Sequence, residues 1–148
     1  RRAGDPRTVS VVHWNSGHWD VAHYYGGPSL NSPALYARML KRICRLLRRF
    51  CPQATLIFAL TTPMNPSGEA GAHPRSNAEI ERYNEVARVT MEEQGVDVND
   101  LYTPALGRPV WYTDYCHFTE EGYRALAGKV CEAVRRALAG RVQGGACG

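Results

Sequence analysis

The chain has 148 residues, a net charge of +4, 44% apolar residues and 22% charged residues. That length makes one ordinary domain with one core, and the composition is that of a soluble globular protein rather than a disordered one. No apolar run is long enough to span a bilayer. The opening RRAGDPRTVS has no signal-peptide pattern, and nothing in the sequence sets a compartment.

TVSVVHWN is β-branched and apolar on both faces, which predicts a buried parallel strand from Thr8 to Trp14. A loop rich in Gly, Ser, Asn and aromatics follows. A helix is expected from Pro33 to Phe50, stopped by Pro52. Its basic residues, Arg38, Lys41, Arg42, Arg45, Arg48 and Arg49, share one side; Met39, Ile43, Leu46, Leu47 and Phe50 share the other. The basic stripe reads as the solvated face of a packed amphipathic helix. No aromatic residues interleave with it, so a nucleic-acid partner is not expected. The five cysteines form no CxxC pair; Cys44 and Cys131 fall on apolar helix faces, and neither a disulfide framework nor a zinc site is expected.

ATLIFALTTP predicts a second buried strand over Thr55 to Thr61, ended by Pro63. After a loop, Ser76 and Glu79 have capping-box spacing, Ile80, Tyr83, Ala87 and Met91 form a helical stripe, and Gly95 is the stop. VDVNDLY predicts a short third strand, and TPALGRPVWYTDYCHF a loop. Thr119 caps a last helix with Glu120 and Glu121 in its first turn. Its expected inner face is Tyr123, Leu126, Ala127, Val130, Cys131, Val134 and Leu138; Gly140 is its expected end, and residues 141–148 a frayed tail.

The order β-α-β-α-β-α predicts a single α/β domain: a three-layer α/β/α sandwich with a parallel sheet, flavodoxin-like. Ligands of such sheets sit beyond the carboxyl ends of the strands. Asn15, Thr62 and the DYCHF loop all fall there. Asp114 stands three residues before His117. A carboxylate accepting the Nδ1 hydrogen of an imidazole fixes its tautomer and stabilises the imidazolium formed when the ring takes a proton. The side-chain amide of Asn15 can donate to an oxyanion formed in acyl transfer. The Trp and Tyr residues at 14, 19, 24, 25, 111 and 112 suit both pocket walls and core.

HWNSGHWD and DYCHFTEEGYRALAGKV, in that order and with this pattern between them, resemble the SGNH or GDSL-like hydrolases. SNAEIERYNEVA is similar to a helix of the same family, and the resemblance runs from about Val9 to Leu138. It implies that Asn15 is an oxyanion-hole donor, His117 the general base and Asp114 its orienting partner. It implies hydrolysis of a small ester or of an acylated carbohydrate or lipid, without metal or cofactor.

The family's Ser and Gly blocks do not precede Asn15 here. AGDP at Ala3 to Pro6 has no hydroxyl at the nucleophile position. A βαβ unit takes roughly 30 residues or more, so two strands with their helices have no room before Asn15. Ser10, Ser16, Ser67, Ser76, Cys116 and Cys147 are each poor substitutes. The chain is therefore expected to be the C-terminal part of a longer hydrolase, holding its last three strands. TVSVVHWN would then be an edge strand, open to pairing with another chain. A second reading is a non-catalytic α/β module that binds a glycan or partner chain. His13, His18 and His23 recur every five residues with Asp20 between them, a spacing that suits neither a helix face nor a strand face for holding a metal.

Overall fold

The computed structural model describes residues 4–144. Three parallel strands, β1 (Val11–Asn15), β2 (Thr55–Ala59) and β3 (Asp97–Asn99), lie in the order β1-β2-β3. Val11 to Asn15 run beside Thr55 to Ala59, and Ile57 to Ala59 beside Asp97 to Asn99. The crossover helices are α1 (Pro33–Phe50) and α2 (Asn77–Glu93), followed after β3 by a short α3 (Tyr102–Ala105) and by α4 (Glu120–Gly144). This is the expected α/β sandwich around a parallel sheet.

Alternation along the strands divides the layers. Val12, Trp14, Leu56, Phe58 and Leu60 pack with Tyr36, Leu40 and Cys44 of α1 and with Ile80, Tyr83, Ala87 and Met91 of α2. Trp14 meets Phe58 edge to face at 5.4 Å. The opposite residues Thr55 and Ile57 face α4, with an open cavity of about 620 Å³ between them and Ala133, Ala137 and Gly140.

The caps at Ser76 and Thr119 are those expected, and Ser32 adds one before Pro33. Ser32 Oγ accepts from Leu35 N–H with Pro33 in the first turn, Ser76 Oγ accepts from Glu79 N–H, and Thr119 Oγ1 accepts from Gly122 N–H. Gly95 takes φ 57° just after α2, the left-handed stop that only Gly adopts cheaply.

Several expectations are corrected. Residues Pro6–Thr8 form a 3₁₀ turn capped by Asp5, so β1 starts at Val11 rather than Thr8. None of its five residues is fully buried, because it borders a single strand. β2 ends at Ala59 rather than Thr61; Leu60 N–H still donates to the Asn99 carbonyl at 3.0 Å, and from Thr61 the chain leaves along side-chain hydrogen bonds. Tyr102–Ala105 is helical, started by Asp100, whose Oδ1 accepts the N–H groups of Tyr102 and Thr103.

On α1 the buried line is Tyr36, Leu40 and Cys44, spaced by four; Leu46 and Phe50 stay exposed. α4 buries Leu126 and Ala133, while Tyr123 is 55% and Leu138 42% exposed and Ala127 and Cys131 also face out. Among the described residues that apolar stripe has no layer on it, since α4 is the only long helix there on its side of the sheet. α4 also runs through Gly140 to Gly144: glycine costs a helix interior about 1 kcal/mol, too little to end a long one. Residues 141–144 of the expected tail are thus helical, and 145–148 lie outside the described residues.

The corrected face of α1 has a measurable consequence. Leu40→Ala should cost about 2–5 kcal/mol in urea unfolding, from lost burial plus the cavity left behind. Leu46→Ala should stay within about 0.5 kcal/mol. Equal costs would restore the original assignment of the buried face.

Candidate active site

The loop before α4 is a tight reversal. Tyr112 and Phe118 pair antiparallel, and Thr113 N–H donates to the His117 carbonyl at 2.9 Å. Within it, Asp114 Oδ1 accepts the backbone N–H groups of Cys116 and His117, each at 2.8 Å. These two bonds turn the second carboxylate oxygen toward the ring. Oδ2 accepts from His117 Nδ1–H at 2.8 Å. The three-residue spacing therefore makes a self-contained device.

Backbone donation from His117 and Cys116, then the imidazole itself, lowers the Asp114 carboxyl from 3.8 to about 2. The pair is well exposed, His117 by 69% and Asp114 by 54% of their side chains. With Nδ1 carrying the hydrogen, Nε2 presents its lone pair, as a general base must. Among the described residues no group hydrogen-bonds His117 Nε2.

A second loop clamps the first. Asn65 N–H donates to Tyr115 O at 2.9 Å and Asn65 Nδ2 to Asp114 O at 3.2 Å. A Cβ on Gly68 would lie 2.6 Å from the Tyr115 Cα, so glycine alone permits this approach. Tyr112 is buried and its hydroxyl donates to Pro63 O at 2.7 Å.

Asn15 ends β1, and its Nδ2 donates one hydrogen to the Ala59 carbonyl at 2.7 Å. The following turn presses on β2. Gly17 sits at φ 150°, where a Cβ would meet Thr61 Oγ1 at 2.1 Å. His18 Nε2–H donates to Thr62 O at 2.9 Å, and burial, before the nearby charge of Arg75, lowers the His18 pKa. Arg75 Nε–H donates to His18 O at 2.6 Å. A cavity of about 290 Å³ is lined by Trp19, His73, Arg75, Asp114, Cys116 and His117.

The structure thus brings Asp114 and His117 together in one cavity. Asn15 stands at the same carboxyl edge of the sheet, but it does not line that cavity and shares no hydrogen bond with either residue. Of the aromatic residues singled out in the sequence, Trp19 lines the cavity; Trp14 belongs to the core and Tyr25 is fully exposed. Sequence reasoning missed Arg75, Asn65 and Gly68. Their only signal was a loop unusually rich in Gly and Pro between two well-defined elements.

The candidate nucleophiles fare poorly. Ser16 Oγ is buried without a partner among the described residues. Ser76 Oγ is engaged at its helix cap. Cys116 Sγ lies 3.7 Å from His117 Nδ1. That nitrogen is the one held by Asp114, and burial, then the Asp114 charge, raises the thiol pKa. Cys147 lies outside the described residues. The three spaced histidines take separate partners: His13 accepts from Asn99, His18 binds Thr62, and His23 binds Gly27 and Glu79.

Solved structures share this fold. A GDSL-like lipase from Bacteroides thetaiotaomicron superposes with TM-score 0.68 at 17% identity, over 86% of this chain and 63% of that one. The esterase domain of the zebrafish ZfL2-1 retrotransposon ORF1 protein gives 0.60 at 17% identity, over 72% and 61%. A Lactobacillus plantarum protein gives 0.64 at 13% identity, over 90% and 70%. The chain spans between 49% and 70% of the length of such structures. A search of curated proteins found no match. The fold class is thus that of GDSL-like hydrolases. The profile of the GDSL-like Lipase/Acylhydrolase family matches residues 5–125, and the chain belongs to that family.

The Asp114 carboxyl contributes stability above its ordinary pKa of 3.8, and that contribution is lost as pH falls toward about 2. A ¹³C NMR titration of its carboxyl carbon should show a midpoint near 2. In His117→Ala the midpoint should rise only part of the way, because both backbone donors remain. A full return to 3.8 would assign the shift to the imidazole alone.

Proposed function

We propose that this chain carries the base and an oxyanion donor of a serine-type ester hydrolase and that it is inactive without a nucleophile from outside the described residues. The Asp114–His117 geometry, Nδ1 held at 2.8 Å and Nε2 unoccupied, is the observation that supports this reading most strongly. In the proposed reaction, Nε2 removes the proton from an attacking hydroxyl as its oxygen bonds the ester carbonyl. The proton then passes to the leaving alcohol, while Asp114 stabilises the imidazolium. A water deprotonated by the same nitrogen next attacks the carbonyl of the acylated hydroxyl, releasing the acid and returning the proton to that hydroxyl. Asn15 has two amide hydrogens, and Ala59 takes one. The second is assigned to the tetrahedral oxyanion. Such a donor contributes roughly 10²–10³-fold to rate. The substrates proposed are small esters or acylated carbohydrates and lipids, the class that the family name implies. These steps draw on side chains and water alone.

The partner assignment follows from the sheet. Among the described residues β1 pairs only with β2, so one row of its backbone N–H and C=O groups is unpaired by strand. Such an edge pairs readily with a further strand, and self-association through it is proposed. No helix among the described residues is long and apolar enough to cross a membrane.

Hydrolysis of p-nitrophenyl acetate by the chain should match that of His117→Ala; turnover well above that control would reveal an overlooked nucleophile. Sizing across a concentration series should show dimers or larger species, together with slowed amide exchange in Val11–Asn15 at high concentration. A monomer with strongly protected β1 amides would instead favour a self-sufficient binding module.

A further inference from the structure

The cavity beside His117 contains a cation that the hydrolytic mechanism does not use. Arg75 is held in three ways. Its Nε–H donates to His18 O at 2.6 Å, its guanidinium lies 4.6 Å over the Trp19 ring, and its backbone is clamped on both sides by the Tyr115 hydroxyl. Among the described residues, these contacts leave the two terminal nitrogens without a protein acceptor, and Arg75 forms no ion pair. Three of the residues around it, Asp114, Cys116 and His117, belong to the base loop. Asp114 is already occupied by His117 and two backbone N–H groups, and the other cavity carboxylate, Glu69, is exposed and does not reach the guanidinium.

A guanidinium presents paired N–H donors in a rigid fork that matches a carboxylate. Holding that fork still in advance lowers the ordering cost of binding. An unused fork in the same small cavity as the base therefore suits one end of a substrate whose other end is the ester.

We propose that Arg75 forms a carboxylate-binding subsite beside His117, selecting esters that carry a second, unesterified acid group. The inference rests on the hydrolase reading for the word ester, but the subsite itself stands on the geometry of Arg75. Monomethyl succinate fits the chemistry: a methyl ester at one end and a carboxylate at the other.

The test is binding rather than turnover, so it needs no nucleophile, and a failed esterase assay leaves it intact. Sodium monomethyl succinate, neutral dimethyl succinate and sodium acetate are titrated into the full chain, with NMR of the Arg75 Nε–H and the His117 ring as readout. The monoester should shift both signals. Dimethyl succinate should bind about 10- to 100-fold more weakly, the loss expected for a charge-assisted hydrogen bond. Arg75→Gln should show the same loss, with an unchanged Asp114 titration reporting an intact base loop, and Arg75→Lys should fall between. If Arg75→Gln does not fold, the monoester–diester contrast in the unaltered chain decides alone. Equal binding of the two esters would overturn the subsite. Acetate binding as tightly as the monoester would overturn substrate selection, since the ester end would then add nothing to binding.

Discussion

The site depends on how the chain leaves β2. A segment that continues past the end of a ladder buries peptide groups that still require hydrogen-bond partners. Residues 59–65 are buried or nearly so; the N–H groups of Leu60 and Asn65 find backbone carbonyls, and side chains satisfy much of the rest. Asn15 binds Ala59 O, Asn84 brackets Thr61 through both N–H and carbonyl, and His18 binds Thr62 O. Tyr112 binds Pro63 O, and Asn77 holds both backbone groups of Met64. Asn65 then grips the base loop. Every loop at the carboxyl edge of the sheet is fastened to this one strand exit.

That arrangement explains why the Asp114–His117 pair can be both exposed and ordered. The pair gains little from burial. Its geometry comes from two backbone N–H bonds inside the turn and from the clamp by Asn65 and Gly68 outside it. An exposed imidazole with an oriented tautomer is accessible to a hydroxyl approaching from elsewhere. The same economy leaves Arg75 fixed by Trp19, His18 and Tyr115 while its terminal nitrogens remain open.

The sheet carries the opposite character. β2 has a neighbour on each side and is almost wholly buried, whereas β1 has one neighbour and none of its residues is fully buried. The stripe of Tyr123, Ala127, Cys131 and Leu138 on α4 and the cavity beneath α4 lie on the less covered face of the sheet, whereas Val12 and Trp14 of β1 turn to the covered one. An apolar stripe states that a face suits burial; it does not state that a partner is present. This is why periodicity alone misassigned the inner face of α4.

Local chemistry was legible without coordinates. The bounds of α1 followed from Pro33 and Pro52, the start of α2 from Ser76 and Glu79, and its stop from Gly95, since capping and left-handed stops act within a few residues. The Asp114–His117 pair was legible for the same reason: its turn closes within four residues. What only the tertiary structure decided involves separations of roughly a third of the chain. Asn15 engages Ala59 across 44 positions, and Arg75 reaches His18 across 57. Such contacts depend on which loops the parallel crossovers bring to one edge of the sheet, and no local period records that.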